Sequence, residues 1–310
     1  MFNMSIREKT LSKYSKILLI FLTENGVKSF DYSKFSKPNP KGKGEIAFVY
    51  IAIFEQKTYA LKSLNNNLNM DTEIFKQFSQ EIIDLYKTDH PNIIQLFGAS
   101  IDPRTGNFML VLQYANSGNL REYLSRKQRA GIYRISWKEL IQIAIEITEG
   151  LIYLHGKRIT HRNLHSKNIL IDDGKVLISD FGLSKRLDDT SNPVMAVMAA
   201  YTDPHYLING KKSDCDQKSD IYSLGVLLWE LTSGIPPFYK FTLMALFREV
   251  LKNNREKIID GTPSDYSNLY SKCWSLDPNE RPALAAVLSK LQNLSKEPIE
   301  IITNNVDMNF

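Results

Sequence analysis

Apolar residues recur along this chain at spacings that predict its elements one after another. From Asp71 to Lys87, an acidic first turn precedes Ile74, Phe75, Phe78, Ile82 and Leu85 at helical spacing, so a helix is expected there. Trp137 to His155 is helical by the same test. Its Leu140, Ile141, Ala144, Ile145, Thr148, Leu151 and Ile152 share one side, which burial in a core explains without invoking function. Asp220 to Gly234 is apolar nearly all round, as a helix enclosed in a large lobe must be. A short amphipathic helix is expected around Leu11 to Leu22, within an N-terminal extension (1–36) that docks on the main domain; a membrane-surface or partner helix is the alternative. An alternating strand ends in Tyr59-Ala60-Leu61-Lys62, and Phe108 to Leu112 is a continuous apolar run of strand length. Asn65-Asn66-Asn67 reads as a loop, and the polar residues after about 296 as a loose tail.

Composition narrows the class. With 310 residues the chain is long enough for one large domain or two lobes, and 43% hydrophobic with 24% charged residues excludes disorder as a whole. The net charge, 39 − 34 = +5, is spread rather than gathered into a basic run, so a solvated surface is expected and no nucleic acid partner. Cys215 and Cys273 show no spacing for a metal or a disulfide framework. The longest early apolar run, Ile17 to Leu22, is six residues, too short to span a membrane. A reducing, cytoplasmic location and no membrane partner are the expectations. No repeat with a period of 20 to 50 residues is found.

The chemistry concentrates in ordered short motifs. Gly42-Lys-Gly44-Glu-Ile-Ala47-Phe-Val49 is a glycine-rich turn of the kind whose backbone N–H groups approach phosphate oxygens, although Pro38 and Pro40 weaken the strand before it. Lys62 ends the alternating strand, and Glu81 lies on the helix from Asp71. Then come His90-Pro-Asn-Ile-Ile-Gln-Leu-Phe-Gly98, the run ending Leu112-Gln113-Tyr114-Ala115, His161-Arg-Asn163-Leu-His165-Ser-Lys-Asn168, Ser179-Asp180-Phe-Gly182, and Cys273-Trp274 with Asp277-Pro-Asn-Glu-Arg281-Pro. In this order, from about Gly42 to Leu291, the chain resembles a protein kinase, most like the tyrosine-kinase and tyrosine-kinase-like branches.

That resemblance implies an α+β, bilobal protein-kinase fold, with an N-lobe antiparallel sheet plus one helix (37–114) and a mainly helical C-lobe (115–295), followed by a tail (296–310). It implies ATP and Mg²⁺ as cofactors. Gly42, Gly44, Ala47, Val49, Ala60, Leu112 as gatekeeper, the backbone of Gln113 and Ala115, and Leu170 would surround the nucleotide. Lys62, held by Glu81, would meet its phosphates, and Asn168 and Asp180 would hold the metal. Ala47 replaces the family's third glycine in the turn. The interlobe hinge would fall near 113–118.

Four departures set this chain apart from the family pattern. The family's catalytic-loop base is Asp; here it is Asn163, a carboxamide with no basicity near neutral pH. His165 stands where Ser/Thr-type kinases commonly carry a phosphate-contacting Lys. Val197-Met198 aligns with the family's Gly-Thr, and Asp203-Pro-His205 with Ala-Pro-Glu, whose Glu normally pairs with an arginine at Arg281. Another acid, such as Glu280 or Asp277, is expected to serve Arg281, or the segment to loosen. Arg162 resembles the arginine that receives a phosphorylated activation segment; Thr190, Ser191 and Tyr201 lie in that segment. His161 and Phe181 match positions that stack with the glutamate helix near Leu85. The resulting expectation is a pseudokinase in signalling, binding ATP and Mg²⁺ and acting on a protein partner, an active kinase among the candidates. The alternatives are a weakly active kinase of Ser/Thr or dual specificity, and a nucleotide-free scaffold.

Overall fold

The computed structural model describes residues 6–36, 38–43, 47–64, 72–180, 199–205 and 217–306. The chain divides into two compact units, Met1–Asp89 with Ile93–Ala115, and His90–Asn92 with Asn116–Phe310.

The first unit is built on a five-stranded antiparallel sheet in the order β1-β2-β3-β5-β4, with β1 (Asn39–Lys43), β2 (Ala47–Phe54), β3 (Lys57–Leu64), β4 (Leu96–Ile101) and β5 (Phe108–Gln113). Pro40 is accommodated because β1 is the edge strand and its register with β2 shifts between Pro40 and Gly42. A missing N–H costs least at an edge or a bulge. Register fixes the two faces. Tyr50 pairs with Leu61 and Leu61 with Val111, so these share a face with Ala52 and Tyr59. That face is closed by the N-terminal segment: Phe30 and Phe35 are buried against Phe54 and Tyr59, with the Phe35 and Phe54 rings 5.1 Å apart.

Backbone bonds hold this segment as if it were a further strand. Phe30 N–H donates to the Ala99 carbonyl at 2.8 Å, and Ala99 N–H to that of Lys28 at 2.9 Å. Gly98 makes the approach possible, since a Cβ there would lie 2.1 Å from the Lys28 carbonyl oxygen. Helix α1 (Ile6–Glu24) is longer than its apolar pattern suggested and packs on α2 (Thr72–Tyr86) and β4, burying Leu18 and Leu22.

The second unit is mainly helical: α3 (Leu120–Ser125), α4 (Trp137–Gly156), α5 (Gln217–Ser233), α6 (Leu243–Leu251), α7 (Ser264–Cys273) and α8 (Leu284–Leu294). Ser136 caps α4, its hydroxyl accepting from Glu139 N–H. Every residue of α5 from Ser219 to Ser233 is buried, and Gly225 lets α7 close in, because a Cβ there would meet that of Cys273 at 2.8 Å. Strands β8 (Ile169–Asp172) and β9 (Lys175–Ile178) form a hairpin. Asn92 ties the 90–92 segment to it, donating to the Val176 carbonyl and accepting from Ile178 N–H.

A third sheet has the order β10-β7-β6, from β6 (Gln128–Arg129), β7 (Ile132–Ser136) and β10 (Ile301–Asn305). Here the expected loose tail is corrected. Residues 301–305 pair antiparallel with β7, and Ile302 and Val306 are buried. Polar Thr303 and Asn305 hid the strand in the sequence because they occupy its exposed side. No helix among the described residues is long and apolar enough to cross a membrane.

Candidate functional site

In the first unit, the face opposite the aromatic cluster gathers residues assigned to the nucleotide. Val49 lies directly across from Lys62 and Lys62 from Leu110; Ile51 lies across from Ala60 and Ala60 from Leu112. Directly opposed residues point the same way, so Val49, Ala60, Lys62 and Leu112 share one face. Glu81 lies in the second half of α2. Gln113 N–H donates to the Gln95 carbonyl at 2.9 Å; Ala115 follows, buried. Gly42 and Ala47 lie in β1 and β2, while Gly44 falls outside the described residues.

In the second unit, Asn163, His165, Asn168, Leu170 and Asp180 come together around one loop. Its anchor is Asp220, near the start of α5 and 1% exposed. One carboxylate oxygen accepts from His161 N–H at 2.8 Å and the other from Arg162 N–H at 2.9 Å, and His155 Nε2 lies 2.7 Å away. Arg162 has φ 65°, the left-handed conformation that turns its N–H toward this carboxylate. The His161 ring is buried. Asn163 N–H donates to its Nδ1 at 3.3 Å, so Nε2 carries the proton and donates to the Ser179 carbonyl at 3.0 Å. Burial lowers the pKa of this ring, in keeping with the neutral form.

The far end of the loop is fastened as firmly. Asn168 Nδ2 donates to the Asn163 carbonyl at 2.9 Å, and Asn168 N–H to the His165 carbonyl at 2.8 Å. Ser179 N–H and hydroxyl both donate to the Asn168 carbonyl at 2.9 Å, which sets Asp180, with φ 60°, beside the loop. With its Nδ2 committed, Asn168 offers its carboxamide oxygen, and Asp180 its carboxylate. These are hard oxygen donors of the kind Mg²⁺ requires, so the donor set fits the metal.

His165 is 3% exposed, and neither ring nitrogen has a hydrogen-bond partner among the described residues. Burial, reinforced by neighbouring His161 and Arg121, pushes its pKa down to about 3, so the ring carries no charge at neutral pH. Asn163 is half-buried, and its carboxamide makes no hydrogen bond among the described residues. The loop therefore presents a carboxamide and an uncharged imidazole at the two positions that the resemblance assigns to a base and a cation.

Behind the loop, Ser166 donates to Glu230 at 2.9 Å, and Arg121 donates to Ser166 Oγ at 3.0 Å and to the Tyr201 hydroxyl at 2.8 Å, while that hydroxyl donates to Glu230. Glu230 is 1% exposed; burial raises its pKa, with Arg121 opposing. This corrects the expectation for Tyr201. Its ring is buried and its hydroxyl fully engaged, so it is a structural residue rather than a place for a phosphate. Arg162 is exposed, whereas Thr190, Ser191, Met198 and Phe181 lie outside the described residues.

A second correction concerns Arg281, which is 1% exposed. Neither Glu280 nor Asp277 serves it: Glu280 accepts from Ser275, and Asp277 caps a short 3₁₀ turn. Asp203 does. Arg281 Nη1 donates to Asp203 Oδ2 at 2.5 Å and Nη2 to Oδ1 at 2.9 Å, and the remaining N–H groups reach the carbonyls of Ser275, Lys218 and Leu276. Burial works to raise the Asp203 pKa, but Arg281 and the Ser219 hydroxyl outweigh it and hold the carboxylate below its ordinary value. The segment at Asp203 is therefore held, not loosened.

Sequence reasoning missed Asp220, Glu230 and Asp203 as anchors. The signal for the first two was two acids inside an otherwise enclosed helix, since a buried charge needs partners.

Comparison with known proteins places these features. The family described as protein tyrosine and serine/threonine kinase matches residues 39–291. The chain is a protein kinase family member. It is 30% identical to the serine/threonine/tyrosine-protein kinase HT1 of Arabidopsis thaliana over 88% of its own length and 70% of that protein. To the megakaryocyte-associated tyrosine-protein kinase of Mus musculus it is 32% identical, over 81% of its length and 47% of the relative. The serine/threonine-protein kinase STY17 of Arabidopsis thaliana is 30% identical over 74% of this chain and 39% of the relative. The kinase chain thus spans about half or less of the latter two. The five-stranded antiparallel sheet and the helical second unit are those of a bilobal protein-kinase fold, in a family whose members generally bind ATP and Mg²⁺.

Proposed function

We propose that this kinase domain is a nucleotide-binding pseudokinase, holding Mg·ATP but not transferring its γ-phosphate efficiently, and acting by conformation on a cytoplasmic protein partner, an active kinase among the candidates. The observation that carries this reading is that the loop is fully fastened, through Asp220 at one end and Asn168 at the other, while its base position is the carboxamide of Asn163. Positioned general-base catalysis is worth about 10²–10⁴-fold, and its loss leaves the fold untouched. Neutral, buried His165 supplies no compensating cation to the phosphate.

Nucleotide binding rests on the shared face of Val49, Ala60, Lys62 and Leu112 and on the oxygen donors of Asn168 and Asp180. When bound, the metal neutralises phosphate charge; Lys62 would orient the phosphates and Leu112 would exclude water from the adenine. A thermal shift with Mg·ATP tests this. At a nucleotide concentration about 100 times Kd the fold should gain about 2.7 kcal/mol, and Lys62→Met should abolish the gain. No shift at millimolar ATP would sink nucleotide binding and leave an empty scaffold.

Weak kinase activity is the second reading, favoured by the uncommitted carboxamide of Asn163, which can accept a hydrogen bond from a substrate hydroxyl. Phosphoryl transfer through a loose transition state depends mostly on positioning and charge.

A further inference from the structure

Phosphoryl transfer makes no use of a cationic hollow in the second unit. A cavity of about 470 Å³ is lined by Tyr123, Arg126, Lys127, Arg129, Ile132 and Arg134. Its shape follows from the chain order. After α3 ends, Arg126 and Lys127 lead into the β6–β7 hairpin, whose loop residues Ala130 and Gly131 have φ 50° and 74°, the left-handed pair that a two-residue hairpin turn requires.

Arg129 lies directly opposite Ile132, so the two share a face, and Arg134, two residues on, shares it too. The other face of β7 is pinned by Tyr133 and Ile135, both buried, with the Tyr133 hydroxyl donating to the Leu231 carbonyl. Arg129 and Arg134 are thereby carried on the outward face of a paired ribbon rather than on a loop.

Charge in the hollow is unbalanced. Glu139 takes up Lys127 at 2.7 Å and accepts from the Tyr123 hydroxyl at 2.5 Å. Among the described residues, Arg126, Arg129 and Arg134 have no ion-pair partner. Four cations line the hollow and no carboxylate among the described residues does; counting Glu139, paired with Lys127, and Glu122, one turn back on α3, an excess of two positive charges remains. Arg126 is partly oriented by a bond to the Ser117 carbonyl, and Arg126 and Lys127 lie 5.8 and 4.9 Å from the centre of the Tyr123 ring.

Arginine forks around a concavity match the several acceptor oxygens and double charge of a phosphomonoester. A membrane headgroup layer is met instead by a broad lysine- and arginine-rich surface. The Tyr123 ring and Ile132 supply an apolar wall for the side chain that carries the phosphate. We propose that this hollow binds a phosphorylated side chain of a partner protein, as arginine clusters do in phospho-motif recognition.

The test is fluorescence anisotropy on the full chain with labelled peptides carrying one phosphotyrosine or one phosphoserine, their unphosphorylated versions, and phosphatidylserine vesicles as a separate arm. Binding of a phosphorylated peptide but not its unphosphorylated version is expected, weakened by about tenfold or more in the double variant Arg129→Gln with Arg134→Gln. Both side chains are exposed, so the unfolding temperature of the double variant should match wild type. Lys62→Met should bind the peptide as wild type does. Equal binding of both peptide forms, no effect of the double variant, loss in Lys62→Met, or binding to vesicles alone would each overturn the proposal.

Discussion

The chain departs from the kinase pattern at two carboxylates, and only one of them is replaced. Where the family has Glu, His205 stands, yet Arg281 is fully paired because Asp203, two residues earlier, reaches it with both oxygens. Where the family has the catalytic Asp, Asn163 stands, and the neighbour that could have supplied charge, His165, is buried and neutral. The first carboxylate neutralises a guanidinium that is 0% exposed at the side chain, and losing such a partner costs about 3–5 kcal/mol of stability. The second does chemistry on a bound substrate and contributes nothing that folding requires. The described residues keep what holds the loop together, and on the proposed reading position 163 is no longer a base.

The largest effect is expected at the repaired position. Asp203→Ala should destabilise the chain by about 3–5 kcal/mol in urea unfolding, because it strands a buried guanidinium. Adding His205→Glu to that variant should recover part of the loss by restoring the family's arrangement; no recovery would mean that position 205 cannot reach Arg281. Asp220→Asn is the next step down. An amide has one acceptor oxygen where two N–H donors now find two, so about 1–3 kcal/mol should be lost and the loop loosened.

The smallest effect is a pH dependence at the unrepaired position. His165 has a pKa of about 3 in the folded chain against 6.5 for an ordinary histidine, so between these values the unfolded chain binds more protons. Stability therefore falls as pH falls, by about 1 kcal/mol between pH 6.5 and about pH 5.5. His165→Leu should reduce that slope in thermal unfolding at the two pH values, leaving the part due to buried His161. An unchanged slope would assign it to another group.

Much of this was legible in the sequence, for reasons that differ by region. Helices α2 and α4 follow from apolar periodicity and α5 from an apolar run of helix length, and the catalytic-loop and glycine-turn motifs take their places by order along the chain. The tail strand β10 was not legible because half its residues are polar and exposed. Asp203 could not be matched to Arg281, 78 residues away, since that contact depends on how the chain folds back. Tyr201 looked like a phosphorylation site until burial against Glu230 and Arg121 showed otherwise. Asp220 looked like the first polar residue of an apolar helix; its role comes from two N–H groups presented by a loop 58 and 59 residues earlier.

The most direct measurement is γ-phosphate transfer from Mg·ATP, as autophosphorylation and onto a generic protein substrate, for wild type, Asn163→Asp and Asp180→Ala side by side. Wild type should be silent or nearly so, Asn163→Asp should gain about 10²–10⁴-fold, and Asp180→Ala should stay silent. Robust transfer by wild type that disappears in Asp180→Ala would contradict the pseudokinase reading and make Asn163 part of a working, unconventional site.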